Sequence, residues 1–185
     1  AARLSVQLLH PDRVELAETV PPGYREVVFS NADGIALRGW YAPPRNGAAI
    51  LLAHGYSGSR EDLLPEAELF TAHGYGVLLF DFGGHGTSDD APVTIGDRER
   101  SDVIAALDYL SAQPEVDPAR IGALGLSMGG ATLVLVAAED ARMRAVALEA
   151  VFPSLADVIA EKAGLAGPLT RWPARWAIER EGVDV

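Results

Sequence analysis

Four near-continuous apolar runs constrain this chain more than any other feature: Ala49–Ala53, Gly76–Phe80, Ile121–Leu126 and Ala145–Ala150. Runs of this length without polar alternation are strands covered on both faces, the pattern of a parallel sheet between helical layers. Each of the first three ends in a Gly-rich loop, and helical patterns fill the gaps, which is the alternation of parallel βαβ units. Ser59 and Asp62 stand at capping-box spacing ahead of Leu63, Leu64, Ala67 and Phe70, a helix predicted to stop near Gly74. Val103, Leu107 and Leu110 share one helix face, closed by Pro114. Val27–Phe29 and Leu37–Tyr41, joined through Asn31–Gly34, read as an opening antiparallel hairpin. The expected class is α/β: a mostly parallel, doubly wound sheet with an N-terminal β-hairpin.

The chain has 185 residues, which predicts one domain spanning 1–185. Fifteen Lys and Arg against 26 Asp and Glu leave a net charge of −11. That field repels phosphate backbones and excludes nucleic acid as a partner. The 49% hydrophobic content supports a packed core. Without cysteine, disulfides, thiolate metal sites and a Cys nucleophile are all excluded, and the compartment stays open. The longest charge-free stretch, Ile121–Ala138, is punctuated by Gly122, Gly125, Ser127, Gly129, Gly130 and Thr132, so it reads as strand, turn and buried helix rather than a membrane span. Ala1 opens the chain without a basic-then-apolar leader pattern, and a segment upstream is expected.

The motif with chemical content is Gly125-Leu126-Ser127-Met128-Gly129, set between an apolar strand and an apolar helix. In that context G-x-S-x-G is a sharp strand-to-helix turn that lifts a serine hydroxyl above the sheet. Gly125 and Gly129 flank it because a side chain at either position would strike the neighbouring strand or helix. Ser127 is the candidate nucleophile, at the positive end of a helix. His54-Gly55-Tyr56-Ser57-Gly58 follows the Ala49–Ala53 strand, where the backbone N–H groups of Tyr56 and Met128 would converge as an oxyanion hole. The strand-end position of His54 assigns it to a structural role, and His85, in the Asp81–Gly86 loop, is assigned likewise.

Together these motifs resemble the α/β-hydrolase superfamily, close to bacterial serine esterase-like hydrolases. The resemblance rests on Asp33-Gly34, Leu37, Gly39-Trp40-Tyr41, His54-Gly55, Asp81–Ser88, Asp117–Gly122 and the elbow, covering Tyr24 to about Pro153. It implies an α/β-hydrolase fold lacking its last strands. The implied activity is hydrolysis of a small-molecule carboxylic ester or similar acyl compound through an acyl-enzyme, with no metal or organic cofactor. A peptidase or thioesterase would share the same residues, and a non-catalytic binding module on the same scaffold is the alternative. Gly83 stands where relatives usually carry Arg, which removes an expected ion pair.

In this fold the chain order is Ser, acid, His, yet His10, His54, His73 and His85 all precede Ser127. The triad histidine and acid are therefore expected from outside this sequence, Glu149 and Asp157 reading as ordinary surface or strand-end charges. The run Ala145–Ala150 would be left as an open edge, whose expected partner is the C-terminal remainder of the hydrolase or a second copy of this chain. Residues 154–181 occupy the place of a lid. Trp172 and Trp176, four apart, are a candidate substrate wall, with ordinary packing on the sheet an equal reading. The expected location is the cytoplasm, with an upstream membrane-anchoring helix implied as the alternative by the resemblance.

Overall fold

The computed structural model describes residues 9–14, 16 and 19–151. The expected lid at 154–181, with Trp172 and Trp176, and Asp157 lie outside the described residues.

Among the described residues, six strands form one sheet in the order β1-β2-β4-β3-β5-β6. β1 (Arg25–Ser30) and β2 (Ala36–Ala42) make the expected hairpin, with Asn31 accepting the Asp33 and Ile35 N–H groups on its side-chain oxygen to shape the turn. β2 also pairs antiparallel with β4 (Gly76–Phe80). β4, β3 (Ala49–Ala53), β5 (Ile121–Leu126) and β6 (Met143–Glu149) run parallel. The last strand begins two residues earlier than its apolar run suggests, because Met143 pairs with Ile121 across a register shift before the ladder settles. It ends one residue earlier too, since Ala150 turns to φ 51° and leaves the extended region.

Three helices connect the parallel strands. Ser59 makes the expected capping box, but the first turn it opens, Arg60–Leu63, is 3-10 and leads into α1 (Leu64–Ala72) with Pro65 at its start. Gly74, at φ 86°, follows the end of α1. α2 (Glu99–Ser111) and α3 (Met128–Ala137) complete the set.

Side-chain alternation distributes the core over both sheet faces. Val77 and Leu79 of β4 join Trp40, Leu52, Leu63 and Ala67 on the α1 side. Leu78 and Phe80 join Tyr41, Leu51, Val103, Leu107, Leu133 and Val136 on the α2/α3 side. Every residue of β4 is buried, as expected of a strand read from an uninterrupted apolar run. Truncating Leu79 or Leu107 to Ala should cost about 2–5 kcal/mol.

β3 hands the chain to β4 on one side, whereas β5 hands it to β6 on the other. The loops leaving the carboxyl ends of the adjacent strands β3 and β5 therefore diverge, and such a switch point opens the crevice where ligands bind in open α/β sheets. The tip of β3, Ala53, pairs with Gly125, so the loop beginning at His54 faces Ser127 directly.

Candidate active site

β5 and α3 are separated by a single residue. Ser127 has φ 50° and ψ −112°, a backbone region that costs a non-glycine residue about 1–3 kcal/mol unless its surroundings enforce it. Those surroundings are visible. Its N–H donates to the Glu149 carbonyl at 2.8 Å, and its carbonyl accepts the Ala131 N–H at 3.0 Å, which locks the turn to β6 on one side and to the helix on the other. A Cβ at Gly125 would lie 2.6 Å from the Gly130 Cα, and one at Gly129 would lie 2.5 Å from the His54 carbonyl oxygen. Both glycines are thus required by close backbone approach, as the motif predicts.

The loop after β3 runs beside this turn: a Cβ on Gly55 would meet the Ser127 Cβ at 3.6 Å. Tyr56 follows, half-buried, with its ring 6.2 Å from that of His85. The Met128 side chain is fully buried, while its N–H belongs to the first turn of α3, where an α-helix offers no acceptor of its own. The sequence-predicted residues Ser127, Tyr56, Met128, Gly125 and Gly129 are therefore gathered at the β3/β5 switch point.

Neither nearby histidine has a ring nitrogen to spare. His54 Nε2 accepts the Phe82 N–H at 3.1 Å, so the proton sits on Nδ1, which donates to the Gly55 carbonyl at 2.7 Å. Burial pulls its pKa down to about 4. His85 Nε2 accepts the Ser57 N–H at 3.3 Å and its Nδ1 donates to the Gly83 carbonyl at 3.2 Å; burial, followed by the adjacent His54, brings it to about 4 as well. The two rings lie 5.0 Å apart, both neutral at pH 7, and pin the 54–58 loop to the 82–88 loop. His73 closes the end of α1 through the Leu69 carbonyl, and His10 is exposed on the N-terminal segment.

A buried carboxylate organises the second loop. Asp81 accepts the Arg60 N–H at 2.8 Å and the Thr87 N–H at 3.0 Å, and the Ser88 hydroxyl donates to its carbonyl at 2.6 Å. Arg60 Nη1 stands 3.4 Å from Asp81 Oδ2 without hydrogen-bond alignment, its guanidinium stacked 4.7 Å over Trp40. Gly86 packs so closely on the Asp81 carboxylate that no side chain fits there.

Gly83 reaches a buried carboxylate through its backbone. Asp102, 4% exposed, is satisfied by the Gly83 N–H at 2.9 Å and the Asn31 amide at 2.6 Å rather than by a cation. Burial pushes its pKa up to about 6, and a cavity of about 90 Å³ opens beside it. Sequence reading did not single out Asp102 or its buried neighbour Glu99, although both fall near the apolar face of α2, a position where a charged residue signals a specific partner. Glu149 contributes its carbonyl to Ser127, and among the described residues its side chain makes no ion pair. No group of three or more metal-ligating side chains occurs among the described residues, nor does any helix there have the length and apolarity to cross a membrane.

Comparison with known proteins shows the family. Residues 50–184 match the model of the alpha/beta hydrolase family. The thiohydrolase aneE of Aspergillus aculeatus is 40% identical over 125 residues, covering 65% of this chain and 39% of that protein. An uncharacterized protein of Mycobacterium tuberculosis is 40% identical over 151 residues, covering 78% of this chain and 52% of its own. The chain thus spans about half or less of the length of these relatives. Among solved structures, the Pyrococcus furiosus esterase Pf2001 superposes with a TM-score of 0.78 at 27% identity, covering 91% of this chain and 68% of that one.

Proposed function

The chain belongs to the alpha/beta hydrolase family, and from that premise we propose that it is the nucleophile-bearing part of a serine hydrolase acting on carboxylic esters or related acyl compounds. The observation that carries this reading is the enforced backbone of Ser127 at the strand-to-helix turn. A residue held there against its own preference presents its Oγ to the crevice at the positive end of α3.

In the proposed reaction Ser127 Oγ forms a bond to the acyl carbon while its proton passes to a histidine base. The backbone N–H groups of Tyr56 and Met128 hold the resulting oxyanion, each worth about 3–4 kcal/mol in the transition state. Collapse expels the alcohol or thiol, which takes the proton back from the base, and water repeats the sequence to release the acid. The base and its orienting carboxylate come from outside this sequence. His54 and His85 have both ring nitrogens engaged, and His10 and His73 lie elsewhere on the chain. Thioesters belong within the substrate range because a relative 40% identical is named a thiohydrolase.

Ser127→Ala in the full-length gene product should lower turnover of p-nitrophenyl and acyl-thioester substrates by at least about a thousandfold. Turnover retained in Ser127→Ala would show that another group is the nucleophile, and no turnover by the wild-type protein would favour the alternative, a binding module on the same scaffold.

A further inference from the structure

The turn that carries Tyr56 is strained. The Gly58 N–H closes it on the Gly55 carbonyl at 3.1 Å, and Ser57, the third residue of the turn, has φ 59°. Turns of this kind favour glycine at that position, because the left-handed region is costly for a residue with a Cβ. Ser57 has a Cβ and stays there, so a contact from outside the turn holds it.

That contact is His85. Its Nε2 accepts the Ser57 N–H at 3.3 Å, and the residue is fixed on every other side. Nδ1 donates to the Gly83 carbonyl at 3.2 Å, the His85 N–H donates to the Phe82 carbonyl at 3.0 Å, and the Ser88 N–H donates to the His85 carbonyl at 3.1 Å. The loop behind it is fastened by the Asp81 carboxylate, which accepts the Thr87 N–H, and by Arg13, whose Nη1 donates to the Ser88 carbonyl at 2.7 Å. Burial keeps the imidazole neutral at pH 7, which leaves Nε2 an acceptor.

What the turn controls is a direction. In a trans peptide the carbonyl and the N–H point opposite ways, so whatever holds the Gly55 carbonyl aims the Tyr56 N–H. Both His54 Nδ1, at 2.7 Å, and the Gly58 N–H, at 3.1 Å, donate to that carbonyl. The second keeps its present direction only while Ser57 stays at positive φ. A Cβ on Gly55 would meet the Ser127 Cβ at 3.6 Å, so the peptide being aimed lies directly beside the serine.

We propose that His85 is a positioning residue for the Ser127 reaction: by accepting the Ser57 N–H it keeps the neighbouring Tyr56 N–H aimed at the oxyanion, without touching substrate itself. This inference rests on the reading of Ser127 as the nucleophile and of the Tyr56 N–H as an oxyanion donor.

The test measures kcat and KM for p-nitrophenyl butyrate on the full-length gene product. His85→Phe, which keeps a ring and removes the acceptor, should lower kcat roughly tenfold and leave KM within about twofold, because an oxyanion donor acts on the transition state rather than on the bound ester. His85→Gln, whose side-chain oxygen can accept the Ser57 N–H, should recover most of that loss. His85→Leu repeats the removal with a smaller side chain, in case the larger Phe prevents folding. Ser57→Gly discriminates most sharply. Glycine holds a positive φ unaided, so this substitution should raise kcat about fivefold more in the His85→Phe or His85→Leu background than in the wild type. Unchanged kcat in either folded variant, a loss confined to KM, His85→Gln as slow as His85→Leu, or no coupling with Ser57→Gly would each reduce His85 to a brace of the fold and overturn the positioning role. Fluorophosphonate labelling of the wild-type protein separates the two levels. Ser127 labelled alongside any of those results overturns the role of His85 alone, whereas unlabelled Ser127 overturns the catalytic reading beneath it.

Discussion

Ser127, Gly125 and Gly129 act as one steric unit, because each glycine clears the backbone that the serine's conformation forces close. Gly129→Val should therefore abolish activity and destabilise the fold by several kcal/mol, whereas Met128→Leu, which keeps the N–H and the buried volume, should cost less than about 1.5 kcal/mol and leave turnover near wild type. Equal loss in both variants would mean that the Met128 side chain does more than fill space. This unit was legible in the sequence because its constraints span five adjacent residues. The neutrality of His54 and His85 was only half legible: strand-end and loop placement suggested structural roles, but the N–H groups that fix each ring come from residues 28 positions away. Its consequence is a pH dependence. Both histidines bind a proton near pH 6.5 when unfolded and only near pH 4 when folded, so the stability they contribute is fully present above pH 6.5 and lost as pH falls toward 4. Urea unfolding of His54→Gln against wild type should show the difference between the two proteins shrinking across that window.

The 81–88 loop shows how one element comes to depend on buried acids. Asp81 is ringed by backbone donors, and Asp81→Ala should cost about 3–5 kcal/mol by leaving those donors and Arg60 uncompensated. Asp102 works with the opposite pH sign to the histidines. Folded, it holds a proton up to about pH 6, against about 3.8 unfolded, so its contribution is greatest below pH 4 and is lost as pH rises through 6. Asp102→Asn should remove that slope, seen as a wild-type advantage that shrinks by roughly 2 kcal/mol between pH 4 and pH 8. A flat difference would show that Asp102 is ionised throughout. Helix and strand positions were legible wherever periodicity ran uninterrupted, as in β3, β4 and α3. The 3-10 turn before α1 and the early start of β6 were not, because the first is a local choice between two hydrogen-bond patterns and the second depends on pairing with β5. Asp102 escaped notice for a similar reason: its partners, Asn31 and Gly83, lie on two other segments.

At the scale of the whole molecule, β1 and β6 are the two edge strands of the sheet among the described residues. β1 pairs only with β2 and β6 only with β5 among the described residues, and β6 leaves Ala145, Ala147 and Leu148 exposed. A parallel strand with apolar residues on both faces expects neighbours. On the proposed reading, the 185-residue chain should elute larger than a monomer and, because neither His54 nor His85 has a ring nitrogen to spare, hydrolyse activated esters feebly. A monodisperse monomer with full turnover would send the search for a base back to His54 and His85. The family and the sheet architecture were legible from ordered motifs, whereas the substrate was not, because those motifs specify the reacting groups and not what surrounds the acyl chain. The most direct measurement is mass-spectrometric mapping of a fluorophosphonate adduct on the full-length gene product. A single phosphonylated serine at Ser127, lost in Ser127→Ala, is the predicted result; an adduct at Ser57 or Ser154, or none under conditions where the protein turns over esters, would contradict the assignment of Ser127 as nucleophile.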